Sequence, residues 1–222
     1  MKSCAFLGYA SGMIPTLFDQ VHDVHSIDSF DIYLNMEIMT LPELPLFEYD
    51  YTIHPVGTKP HNSDILLFGT SGPRNKHSLF TYFETQHSIE KTDYSRLIHP
   101  SAYISRSSIS SISTATTIEQ MVIIESQTQI GFGVNIKRGS AVGHHNILGD
   151  YVDINPGVVT SGKVSIGRGT ILGTGTVVKD NIQIGSNSYI GAGSVVVKDI
   201  PNGVIAYGNP CKVVRENDKW QI

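Results

Sequence analysis

The second half of the chain repeats an apolar position every six residues. From Ile112 the step gives Ile118, Ile124, Ile130, Ile136, Val142, Leu148, Ile154, Thr160, Ile166, Leu172, Val178, Ile184, Ile190 and Val196, and only Thr160 is not aliphatic. The next residue is Gly at 131, 143, 149, 167, 173, 185 and 191, while the fourth residue after each aliphatic is often small or β-branched, as at Val134, Ser140, Val152 and Ser194. A helical stripe recurs every three or four residues, and each such glycine would cost a helix about 1 kcal/mol. A sandwich strand alternates in twos between irregular turns. A six-residue unit with an inward aliphatic, an inward small residue and a Gly to take a tight corner predicts one side of a triangular parallel coil. Three units close a coil, so residues 112–200 make roughly five coils stacked at ~4.8 Å. Ile112, Ile130, Leu148, Ile166 and Ile184 then form one internal ladder.

The first half has a different rhythm. Ala5-Phe6-Leu7-Gly8-Tyr9 reads as a buried strand running into Ala10-Ser11-Gly12, with a helical pattern of Ile14, Leu17, Phe18 and Val21 behind it. A second strand, Ile65-Leu66-Leu67-Phe68, ends in Gly69-Thr70-Ser71-Gly72, followed by a helix from about Arg74 to Ile89. Strand, Gly turn and helix, repeated, predict a small parallel, Rossmann-like sheet whose ligands sit at the carboxyl ends of the strands. The stretch from Ile32 to Lys59 has no clean period, and its structure is left open. Between the halves, Ile98 and Ile104 begin a six-residue phase that slips before Ile112, which predicts a cap on the coils. The expected division is a small α/β domain over residues 1–96 and an all-β parallel β-helix with its tail over 97–222.

Composition narrows the partners. A net charge of −4 over 222 residues argues against a nucleic-acid or anionic-membrane face. No segment has the length of a membrane span or the shape of a signal peptide, so a cytoplasmic protein without membrane insertion is expected. Cys4 and Cys211, at opposite ends, are expected to be reduced bystanders.

The coils resemble the hexapeptide-repeat acyltransferases. Over nearly its whole length the chain resembles a narrower group, the bacterial N-acetyltransferases of nucleotide-linked 4-amino sugars together with the sialic acid O-acetyltransferases. The matching residues are Tyr9-Ala10-Ser11-Gly12, Gly69 with Arg74, Ile98-His99-Pro100-Ser101-Ala102, Gly143-His144-His145, and the tail Gly208-Asn209-Pro210-Cys211-Lys212. The resemblance implies left-handed coils, a homotrimer, and acetyl-CoA as co-substrate for acetylation of a nucleotide-linked 4-amino-deoxy sugar, in surface glycan synthesis. O-acetylation of a sialic acid remains an alternative, and a non-catalytic or carbonic-anhydrase-like hexapeptide protein is a third.

Acyl transfer to an amine needs a base for the amine proton and donors for the developing oxyanion. His144 matches the family's base. It stands two places after Val142, outside the inward ladder, between Ser126 and Gly162 of adjacent coils, and the missing side chain at Gly162 leaves room beside the imidazole. Corner turning is an equally good reason for that glycine. The family tends to carry an acid immediately after the base, where this chain has His145, and one branch has a second His nine places on, where Asp153 stands. His144, His145 and Asp153 are thus the catalytic candidates, and the partner that orients His144 is open among Asp153, Asp150 and Glu125. Strand neighbours face opposite ways, so His145 is expected to turn away from His144, and no metal is expected. By resemblance, acetyl-CoA is contacted between subunits by Gly162, Gly173, Thr174, Gly191, Ala192 and Lys212, with the glycines offering N–H groups. Ala10, Ser11, Gly12, Gly69 and Arg74 receive the nucleotide sugar. Tyr9 replaces the family's glycine and either blocks a phosphate or stacks on a base.

Overall fold

The computed structural model describes residues 2–36 and 49–222, so residues 37–48 of the aperiodic stretch lie outside the described residues. The front of the chain is a four-stranded parallel sheet of β1 (Cys4–Leu7), β2 (Ser29–Tyr33), β3 (Asp50–His54) and β4 (Ile65–Phe68), in the order β3-β2-β1-β4. β1, in the middle of the sheet, and β4, at its edge, are both buried throughout, as unbroken apolar runs in a sheet covered on both faces require. Helix α1 (Ile14–His25) has Pro15 in its first turn and lays Ile14, Leu17, Phe18 and Val21 on one side of the sheet, where Phe18 stacks on Phe30 at 4.0 Å. Helix α2 (Pro73–His87) covers the other side with Leu79, Phe80 and Phe83.

From Leu97 onward the chain winds into three flat walls of two-residue parallel rungs. The first wall holds Leu97–Ile98, Thr117–Ile118, Asn135–Ile136, Asp153–Ile154, Ile171–Leu172 and Tyr189–Ile190. The second holds Tyr103–Ile104, Ile123–Ile124, Ala141–Val142, Val159–Thr160, Val177–Val178 and Val195–Val196. The third holds Gln129–Ile130, Ile147–Leu148, Ser165–Ile166 and Gln183–Ile184. The expected ladder is present: Ile112 pairs with Ile130, which leads through Leu148 and Ile166 to Ile184. The six-residue aliphatics point inward and form one continuous core.

Two expectations change. The join is no cap. Ile98 pairs with Ile118 and Ile104 with Ile124, so residues 97–104 are rungs of a first coil lengthened by two residues, in which the helical turn Arg106–Ile109 lies between the second-wall rung and Ile112, the residue that pairs with Ile130 on the third wall. Nor do the glycines after the aliphatics turn the corners. The left-handed residue comes two places later, as at Gly133 after Gly131 and Gly175 after Gly173, with φ of 69° and 68°. The preceding glycines stand where coils approach most closely: a Cβ on Gly131 would lie 2.7 Å from the Asp150 nitrogen, and one on Gly173 2.5 Å from the Ala192 nitrogen. At the far end the first wall is extended by Val204–Tyr207 and its antiparallel partner Lys212–Glu216. Both cysteines are buried free thiols.

The front sheet is fastened to the coils by polar contacts within apolar packing. Phe68 and Phe80 meet Phe132, and Gln20 Nε2 donates to the Ile118 carbonyl at 2.7 Å. Lys76, buried on α2, donates from Nζ to the Gly133 carbonyl at 2.9 Å and to Asn135 Oδ1 at 2.6 Å. Burial pushes this ammonium down to about 7, with Lys137 adding to the shift and Asp153 opposing it. Between about 7 and the ordinary 10.5 the unfolded lysine binds a proton that the folded one releases, so stability rises with pH across that window and is flat below it. Urea titrations at about pH 6.5 and 9 should show wild type gaining stability relative to Lys76→Met, which lacks the titrating group. Parallel pH profiles for the two proteins would contradict this account.

Candidate active site

His144 and His145 make the corner between the second and third walls. Rungs fix its backbone: His145 N donates to the Ser126 carbonyl at 2.9 Å and Lys163 N to that of His144 at 2.8 Å. His144 N donates to Glu125 Oε2 at 3.1 Å. His145 has φ 58°, so the corner breaks strand alternation. The two rings therefore do not diverge as strand neighbours would. They meet, Nδ1 to Nδ1, at 2.9 Å, with their planes at 88°. Both side chains are exposed.

Gly162 lies directly against His144. An added Cβ would run into Cε1 and Nε2 of the ring, while the corner's left-handed φ, 58°, belongs to Lys163. Room for the imidazole, rather than a backbone turn, is what demands glycine here. Gly162→Ala is expected to fold and to displace the His144 ring, because the added methyl would take the space of Cε1 and Nε2. An unchanged His144 ring signal in NMR spectra of the variant would contradict this account.

Asn146 was not picked out from the sequence, where it occupies one of the small inward positions. It is buried, and its amide nitrogen donates to the carbonyls of Gly143 and Ser161, the latter at 2.9 Å. Its Oδ1 accepts from Val164 N at 3.1 Å, which ties the histidine corner to the corner of the next coil. An amide among aliphatics at the sixfold-repeat position is the signal that could have flagged it.

The three carboxylates left open as partners of His144 are placed differently. Asp153 sits on the first wall, buried, with Lys137 Nζ at 3.4 Å from its Oδ1. Asp150 accepts from Phe132 N at 2.9 Å and from Lys91 Nζ at 2.8 Å, at the corner between the third and first walls. Glu125 alone touches His144, through the backbone amide.

The acetyl-CoA candidates divide between two corners. Gly162 shares the corner stack of His144, whereas Gly173, Thr174, Gly191 and Ala192 line the opposite edge of the second wall, where it meets the first. The expected glycine donors are corrected in part. Gly173 N and Gly191 N are used in rungs to Ile190 and Ala206 carbonyls, because each lies at a strand end. Among the described residues the amides of Gly162, Thr174 and Ala192 have no hydrogen-bond acceptor, so they are the ones able to donate to a ligand. Lys212 is exposed on the terminal antiparallel pair.

In the front sheet the turns after β1 and β4 border two clefts. One, of about 340 Å³, is lined by Tyr9, Ala10, Asn35, Thr70, Arg74 and Asn75. The other, of about 370 Å³, lies between Ala10, Gly12 and Ser71 and the coil residues Lys137, Arg138 and Asn155. Ser11 is exposed beside them. Gly69 lines neither: a Cβ there would strike the Gly8 carbonyl, so its glycine serves the close approach of the two turns. Among the described residues the buried Tyr9 hydroxyl has no hydrogen-bond partner, and burial, followed by Tyr51, pushes its ionisation to higher pH. Lys137 and Arg138 were overlooked, although a basic pair after Ile136, where many units have glycine, was there to see. Among the described residues no cluster of three His, Cys, Asp or Glu could hold a metal, and no helix is long and apolar enough to cross a membrane.

Residues 163–198 match the family model of bacterial transferase hexapeptide repeats. A mutant perosamine N-acetyltransferase from Caulobacter crescentus, in complex with CoA and GDP-perosamine, superposes with a TM-score of 0.74 at 20% identity over 97% of this chain and 98% of its own. This is a left-handed hexapeptide-repeat β-helix. The acetyltransferase domain of PglB from Neisseria gonorrhoeae, in complex with acetyl coenzyme A, gives 0.77 at 20% identity, covering 96% of the hexapeptide-repeat chain and 100% of its own. WeeI from Acinetobacter baumannii gives 0.78 at 21%, with the same coverage. In each case the likeness spans the front sheet as well as the coils.

Proposed function

We propose that this protein is an acetyl-CoA-dependent N-acetyltransferase acting on the amino group of a nucleotide-linked 4-amino-deoxy sugar, working as a homotrimer in surface glycan synthesis. The observation that carries it is the His144 imidazole seated on Gly162, at the edge of the second wall, with an unused Gly162 N–H beside it. Fold relatives crystallised with CoA and GDP-perosamine or with acetyl coenzyme A support the choice of both substrates.

The thioester supplies the activated acetyl group, and the chain supplies the rest. His144 takes the proton of the attacking amine. The free amide of Gly162 stabilises the oxyanion, and those of Thr174 and Ala192 hold the pantetheine from a neighbouring copy. Lys212 meets a CoA phosphate as a point charge. Residues 1–96 form the unit that receives the nucleotide sugar. Arg74 and the turn Ala10-Ser11-Gly12 face the diphosphate, and Lys137 and Arg138 add positive charge from the coil. Asp153 keeps a structural place beneath α2.

The outer face of the second wall supports the homotrimer. Its outward residues stack as Tyr103, Ile123, Ala141, Val159, Val177 and Val195, an apolar strip with Ile123, Val159 and Val177 exposed. The candidate residues lie along the two opposite edges of this strip, so packing one copy against the next brings the two sets together. Sedimentation should give three times the 24.3 kDa chain mass, and Val159→Asp with Val177→Asp should give inactive monomer. The decisive experiment is mass-spectrometric detection of acetyl transfer from acetyl-CoA to GDP- and UDP-linked 4-amino sugars, with a sialic acid as competing acceptor. Acetylation of the sialic acid alone, or of nothing, would overturn the reading.

A further inference from the structure

The contact between the two histidines assigns His145 a task that its neighbours leave open. Nδ1 of His144 lies 2.9 Å from Nδ1 of His145, a hydrogen bond that needs one nitrogen protonated and the other bare. The charged side chains on the flanking units of this corner are Glu125 and Lys163. Glu125 is bonded to the His144 backbone amide, and neither is hydrogen-bonded to either ring. Of the two His144 ring nitrogens, the one beside Gly162, where Cε1 is equally near, is Nε2. For that atom to act as a base it must be bare, which places the proton on His144 Nδ1 and leaves His145 Nδ1 as the acceptor, with its own proton on Nε2.

We propose that His145 is the positioning residue of His144 and its proton relay, an imidazole serving where a carboxylate would otherwise stand; this rests on the acetyl-transfer reading above. As the amine nitrogen bonds to the thioester carbon, its proton passes to His144 Nε2. The Nδ1 proton of His144 moves to His145 Nδ1. His144 is then neutral, protonated on Nε2, and the positive charge resides on the solvent-facing His145. When the C–S bond breaks, the electron pair leaves with sulfur; the His145 Nδ1 proton returns to His144 Nδ1 in the same step that sulfur takes the Nε2 proton of His144, so no imidazolate forms. Both rings recover their starting tautomers, and the amine proton has become the thiol proton of CoA. A carboxylate in the same place would fix the tautomer and neutralise the imidazolium but would leave the charge beside the reaction. The pair of rings moves it outward by one residue.

Nitrogen-15 NMR of histidine-labelled wild-type protein, with no substrate and with the two rings assigned from single variants, tests the tautomers directly. The expected spectrum has His144 protonated on Nδ1 and bare on Nε2, and His145 bare on Nδ1. His144 protonated on Nε2 instead would overturn the proposal whether or not the protein transfers acetyl groups. His145→Asn, a residue that tolerates the left-handed corner, keeps an acceptor for the Nδ1 proton but cannot carry it onward. It should retain the His144 tautomer and a KM for acetyl-CoA within about twofold, while kcat falls roughly 10- to 100-fold. His145→Phe should lose the tautomer as well. Equal kcat in wild type and His145→Asn would overturn the relay. A wild-type spectrum as expected but without acetyl transfer to any acceptor would overturn the proposed function and, with it, the relay's part in turnover.

Discussion

His144→Ala is expected to lower kcat by roughly 10²–10⁴-fold while leaving the fold and the affinity for acetyl-CoA nearly unchanged. The fold should survive because the imidazole is exposed and its backbone is held by rungs and by Glu125 whatever the side chain. Binding should survive because the unused amides of Thr174 and Ala192 stand at the other edge of the second wall. What disappears is the one ring that faces Gly162. Steady-state kinetics with the true acceptor, beside calorimetric titration with acetyl-CoA, separates these terms. Wild-type kcat in the variant would remove His144 as the base.

Ile166→Asp should abolish folding. Ile166 is 1% exposed at the middle of the third-wall ladder, with Leu148 and Ile184 as its neighbours. The substitution forfeits about 1.5–3 kcal/mol of apolar burial. It also asks an unpaired carboxylate, or its protonated form, to sit among aliphatics at a cost of several kcal/mol. Together these approach the 5–15 kcal/mol that holds an ordinary domain folded. Circular dichroism and sedimentation should report an unfolded or aggregated chain, and a soluble folded variant would contradict the stacked ladder.

The walls were legible because the repeat is a local constraint copied many times: once Ile130 and Leu148 are seen to be equivalent, every rung between them follows. The corners were less legible. Glycines 131, 143 and 173 were assigned to turning, whereas the turn is made two residues later and these glycines answer to the backbone of the next coil, a contact 18 or more residues away. The same misplacement of the corner made His145 look like a strand residue pointing away from His144. Contacts between the two halves carried no signal at all. Lys76 reads as an ordinary helix-surface lysine until Asn135 and Gly133, more than fifty residues on, enclose its amine. β2 was missed because Phe30-Asp31-Ile32-Tyr33 is too short and too mixed to stand out from the aperiodic segment beside it.

The coil also acts as a ruler with fixed graduations. Rung partners stand 18 residues apart through the middle of the solenoid, as Ile130 and Leu148 do. Removing residues 174–191 would join Gly173 to Ala192, leave every remaining aliphatic in phase, and shorten the stack by one step of ~4.8 Å. Removing any number that is not a whole turn would rotate the remaining walls against one another. The buried attachments of the front sheet, at Ile118, Gly133 and Asn135, and the histidine corner at 144–145 lie before that cut, whereas the exposed bond from Arg74 to the Lys219 carbonyl, at 3.5 Å, reaches the tail beyond it. Length in this protein is therefore quantised, and it can change in whole turns at the far end without altering the distance between the clefts and the histidine pair.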